Sequence, residues 1–72
     1  MIATSEATVT LNGKPRQVAP GLSLSALLDD LGIDRRLVAV AYNEQVIPRD
    51  TYDSVHLQDG DRVEVVRMVG GG

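Results

Sequence analysis

The sequence predicts an α+β domain, a mixed sheet of four to five strands with one main helix packed across it. Three observations predict it. An alternating segment, Thr8 to Leu11, meets Asn12-Gly13 and a short return segment; a single leucine stripe at helical spacing follows; and two apolar runs, Leu37 to Tyr42 and Arg62 to Val69, come after that stripe.

Each element follows from local chemistry. Met1 to Glu6 is small, polar and aperiodic, which predicts a frayed lead-in over residues 1–6. Asn-Gly favours the primed two-residue turn, so Thr8–Leu11 and Lys14–Val18 are expected to form a hairpin. Pro15 cannot donate to a ladder and pushes its strand to a sheet edge. Pro20 and Gly21 break the pattern, Ser23 is a cap, and Leu24, Leu27, Leu28 and Leu31 mark one helix face before Gly32 ends it. Leu22 and Leu27 occupy the two positions of a hydrophobic staple. So short a helix does not persist alone in water, and its leucines must lie on a sheet. Asp29 and Asp30 oppose the helix dipole and read as solvated.

Leu37 to Tyr42 has the composition of a strand buried on both faces. Asn43-Glu44 reads as a turn, Gln45–Ile47 as a brief strand stopped by Pro48, and Arg49–Ser54 as a loop with a turn of helix. Val55–Leu57 is expected to return to the sheet, and Asp59-Gly60-Asp61 to turn into the longest strand, Arg62–Val69, with Val63 and Val65 on one face. A helix between the hairpin and the later strands permits a right-handed crossover that pairs the first and last long strands in parallel. The domain is expected over residues 7–69.

Composition excludes several functions. At 72 residues, 43% apolar, the chain holds one small core and no second lobe. Ten acids against seven bases, with no Phe or Trp, argue against nucleic acid as a partner. No run is long enough to cross a membrane and the opening residues lack a signal-peptide pattern, so the expectation is a cytoplasmic protein with no membrane partner. Without cysteine there is no disulfide, thiolate zinc site or cysteine nucleophile. His56 stands alone and reads as structural rather than as a metal ligand. Asp59 and Asp61 read as turn residues, and Arg35 and Arg36 as solvated surface. Ser23 and Ser25 have no evident base partner, and no phosphate-cradling glycine loop precedes the helix. The chain does not read as an enzyme.

What remains is the end, where an apolar strand runs into Gly70, Gly71 and Gly72. From composition alone this is a flexible tail or fray. It also has a chemical use, because residues without Cβ thread a narrow channel and expose an α-carboxylate to attack. Three extended residues reach about 10 Å. Activation of that carboxylate by ATP to an acyl-adenylate, then sulfur transfer, gives a thiocarboxylate without any side chain of the carrier. Alternation further places Glu64, Val66 and Met68 on the face opposite Val63, which makes Val66 and Met68 candidates for docking a partner.

The segments GLSLSALLDDLGI, VAVAYNEQVIPRD and QDGDRVEVVRMV, with the terminal glycines, resemble the ThiS family of sulfur carriers in thiamine thiazole biosynthesis, from about Val9 to Gly72. The resemblance implies a ubiquitin-like β-grasp fold, Gly72 as the residue adenylated and thiolated, Gly71 as the other glycine of the pair, and Gly70 as extra tail. It implies three partners: a ThiF-like adenylating enzyme, to which ATP and magnesium belong; a cysteine-derived sulfur donor; and a ThiG-like thiazole synthase. The carrier itself binds no cofactor. A MoaD-like small subunit of molybdopterin synthase shares this chemistry with another acceptor, and a β-grasp interaction module or ubiquitin-like modifier shares the fold alone.

Overall fold

The structure, a computed structural model, describes residues 6–68. Five strands form one mixed sheet: β1 Ala7–Leu11, β2 Lys14–Val18, β3 Val38–Tyr42, β4 Gln45–Val46 and β5 Arg62–Arg67, in the order β2-β1-β5-β3-β4. Among the described residues the single α-helix, α1, spans Leu24–Asp30, and 3-10 turns occupy Arg35–Leu37 and Arg49–Ser54.

The hairpin forms as its turn dipeptide dictates, with Asn12 and Gly13 both at positive φ (50° and 83°). Strand β2 lies at the edge, where Pro15 leaves no ladder bond unmade. Ser23 caps α1, its Oγ accepting from the Ala26 N–H at 3.0 Å, and Gly32 follows the helix at φ 72°. Leu24, Leu27 and Leu28 are at most 1% exposed, each burial stabilising the fold by about 1.5–3 kcal/mol. They pack with Val9, Val40, Val63, Tyr52 and Leu57. The crossover through α1 sets β1 parallel to β5, with Thr10 opposite Arg62 and Leu11 opposite Val63. Strand β3 runs antiparallel to β5 over its full length.

Four expectations are corrected. Leu37–Tyr42 is not buried on both faces: Val38 and Val40 are buried, Ala39 and Ala41 are half-buried, and Leu37 is exposed. The helix covers only one side of the sheet, so a run of apolar residues is split by the two-residue alternation of a strand. Val55–Leu57 does not join the sheet. It pairs with the entry to α1 through an isolated bridge between Ser23 and His56, the Leu57 N–H donating to Leu22 O at 2.8 Å. The last strand ends at Arg67 and not at Val69, which lies outside the described residues. Finally, Arg35 is only partly solvated. Its guanidinium reaches Asp53 at 3.4 Å and lies 6.0 Å from the Tyr52 ring centre, tying the two 3-10 turns together.

Candidate functional site: the exit of the last strand

Strand β5 positions the site. At its start it is held by a dense polar network. Asp61 accepts from the Tyr42 hydroxyl, from Asn43 Nδ2 at 3.2 Å and from the Gln58 N–H at 2.8 Å. Asn43 Oδ1 in turn accepts from the Arg62 N–H at 2.8 Å, and Asp59 accepts from the Thr8 N–H at 2.8 Å. Asn43 and Glu44 sit at positive φ (49° and 74°), which brings the β3-β4 turn over this network. Burial raises the Asp61 carboxyl, but the bonds from Tyr42, Gln58 and Asn43 hold it below the ordinary carboxylate range. The Tyr42 phenol is pushed up to about 12, first by donating to Asp61 and then by burial. The aspartates expected only as turn residues are therefore turn residues that also hold neighbouring strands, Asp61 through Tyr42 of β3 and Asp59 through Thr8 of β1. Their signal was the Asp-Gly-Asp spacing; the partners Tyr42, at the end of β3, and Asn43, in the turn after it, gave none.

At its other end β5 presents a two-sided ribbon. Val63 is fully buried under α1, and the alternate side chains, Glu64 and Val66, point to the opposite, uncovered face. Val66 is 61% exposed and Met68 49%, as the alternation requires. Two further residues, missed by sequence reasoning, join them: Leu37 (49%) and Val46 (76%). Register explains the grouping. Ala39 lies opposite Val66, Ala41 lies opposite both Glu64 and Val46, and the Met68 N–H donates to Leu37 O at 2.9 Å. All the large apolar side chains exposed among the described residues thus share the sheet face that the helix leaves uncovered. The signal for Leu37 and Val46 was the same alternation, hidden in β3 by alanines and in β4 by its shortness.

Gly70, Gly71 and Gly72, the sequence-predicted chemical residues, lie outside the described residues. His56 is exposed, with Nδ1 3.1 Å from Gly21 O, and lies in no cluster of metal-ligating side chains among the described residues. Ser25 donates its hydroxyl to Asp53, the carboxylate that also meets Arg35, and these bonds hold Asp53 below the ordinary range. That Ser-Asp pair joins α1 to the second 3-10 turn.

The comparisons with known proteins agree with this architecture. The sequence model described as the ThiS family matches residues 9–72. A sulfur carrier protein ThiS of Thermus thermophilus is 39% identical over 64 residues, covering 89% of this chain and 98% of that protein. A thiazole synthase of Paramagnetospirillum magneticum is also 39% identical over 64 residues, and there the chain spans only 20% of the relative's length. The crystal structure of a thiamine biosynthesis protein (ThiS) from Geobacter metallireducens superposes with a TM-score of 0.79 at 37% identity, over 90% of this chain and 99% of that one. With the fold, the strand order and the match through the glycine tail in agreement, the chain belongs to the ThiS family, with its ubiquitin-like β-grasp fold.

Proposed function

We propose that this protein is a sulfur carrier for the thiazole ring of thiamine, acted on by enzymes rather than being one. The Gly72 carboxylate attacks the α-phosphate of ATP on a ThiF-like adenylating enzyme, releasing pyrophosphate. Sulfide-level sulfur (HS⁻) released from a cysteine-derived donor then attacks the acyl carbon and displaces AMP, with loss of a proton, to leave a thiocarboxylate, which a ThiG-like thiazole synthase consumes. ATP and magnesium reside on the adenylating enzyme. The observation that carries this reading is the family match running through residue 72, joined to a last strand, Arg62–Arg67, that precedes those glycines in the sequence. Gly70 and Gly71 provide the side-chain-free stalk.

Val66 and Met68, with Leu37 and Val46, form the docking face for the enzyme that takes the tail. The support is their exposure on one face beside the exit of β5. The thiazole synthase relative supports that enzyme as the acceptor, since it contains a stretch similar to this chain. A cytoplasmic location suits these partners, and no helix among the described residues is long and apolar enough to cross a membrane.

Intact-mass spectrometry after incubation with the adenylating enzyme, ATP and a sulfur donor tests the chemistry. The 72-residue chain should gain the oxygen-to-sulfur mass difference, mapped to Gly72. An unchanged mass, with the adenylating enzyme active on a known ThiS, overturns the proposal.

A further inference from the structure

Strand β5 is central in the sheet, yet only its first half has neighbours on both sides. Toward β1, the Thr10 N–H donates to Asp61 O and the Asn12 N–H to Val63 O, both at 2.9 Å. One step on, the Val65 N–H meets the Asn12 side-chain Oδ1, at 2.7 Å, in place of a backbone carbonyl. There the hairpin turns at Asn12-Gly13 and returns as β2 on the far side of β1. By the alternation of a ladder, the Val65 C=O and the Arg67 N–H and C=O point the same way, where no strand of the described residues lies. On the opposite side β3 stays paired to the end, the Met68 N–H donating to Leu37 O.

This edge differs from the sheet's two outer edges. Strand β2 is guarded by Pro15 and by Lys14 and Arg16, and β4 is only two residues long. Such features discourage strand addition. The open half-edge of β5 is bordered instead by a carboxamide, Asn12, and by Gly13, where an added Cβ would meet nothing within 4 Å. Its two neighbours along the strand, Val66 and Met68, belong to the exposed apolar face. On the carrier reading the reacting carboxyl group is that of Gly72, four residues past Met68 in the sequence, a reach of at most about 14 Å. An enzyme acting at Gly72 is therefore within strand-pairing distance of Arg67.

We propose that an extended segment of the thiazole synthase adds to this half-edge as a sixth strand, bonding the Val65 C=O and the Arg67 N–H and C=O and so fixing the end of β5 against the synthase. This deepens the carrier reading and rests on it.

The test compares Arg67→Pro with Arg67→Ala, using thiazole synthase from the same organism. Both lose the side chain, but only Arg67→Pro loses the N–H, which takes no part in pairing with β3. Arg67→Pro should bind the synthase at least about tenfold more weakly than Arg67→Ala, the scale of one lost backbone bond plus a blocked edge. In the unaltered chain, exchange of the Arg67 amide hydrogen should slow when the synthase is added, a measurement that stands even where the proline variant does not fold. Equal affinities of the two folded variants, or an Arg67 amide whose exchange the synthase leaves unchanged, overturns the inference. Protection by the adenylating enzyme but not by the synthase overturns the choice of partner. Failure of the carrier reading itself has a different signature, since the unaltered chain would then gain no sulfur.

Discussion

The two ends of β5 are built to opposite specifications. The Asp61 end is fixed on several sides by side-chain bonds from Tyr42, Asn43 and the turn before it, while the Arg67 end is bonded through β3 alone and surrounded by exposed apolar side chains. On the proposed carrier reading, a strand that delivers its last residues to another protein must be immobile at one end and accessible at the other. Because consecutive residues of a strand face opposite ways, six residues suffice to do both: Val63 fills the core while Val66, three positions on, lies 61% exposed.

Perturbing each end in turn breaks or sharpens that contrast. Deleting Gly71 and Gly72 is expected to have the largest effect, a complete loss of sulfur loading in the mass assay, with an unchanged melting temperature because the core lies within residues 7–63. Asp61→Ala should do the reverse. It leaves Tyr42, Asn43 and the Gln58 N–H without their shared acceptor, at a cost of about 1–3 kcal/mol in urea unfolding, while the folded fraction still accepts sulfur. A fully stable Asp61→Ala protein would mean that the start of β5 is held by the sheet alone. Met68→Asp, at the exit, should weaken association with the thiazole synthase by about tenfold in calorimetry, with stability within about 0.5 kcal/mol of the parent. An unaltered dissociation constant would remove Met68 from the docking face.

The smallest expected effect is spectroscopic. Tyr42, raised to about 12, has a folded value above its unfolded one near 10. Its contribution to stability is then fully present below about pH 10 and is lost as pH rises through about 12. Asp61 is depressed, so its contribution is present above the ordinary carboxylate range and is lost as pH falls through its lower folded value. Ultraviolet titration should show one tyrosine ionising near pH 12, and Asp61→Asn should move that step back toward 10. A Tyr42 phenol that ionises near pH 10 in the parent would show that the Tyr42-Asp61 bond does not hold in solution.

Local chemistry alone determined much of this protein. Asn12-Gly13 requires a hairpin, Ser23 and Gly32 bound a helix, Pro15 forces an edge, and the alternation of Val63 to Met68 separates core from surface. Each depends on neighbours within a few residues, which is why sequence reading reached them, and the family resemblance carried the glycine tail. The tertiary structure decided what depends on distant partners. That Leu37 and Val46 join Val66 follows from strand register, that Arg35 meets Asp53 and Tyr52 follows from packing of two 3-10 turns, and that β5 is left half-open follows from where the hairpin turns away. Pairing across gaps of tens of residues is set by the global arrangement of the sheet, and no local pattern encodes which side of a strand will be left without a neighbour.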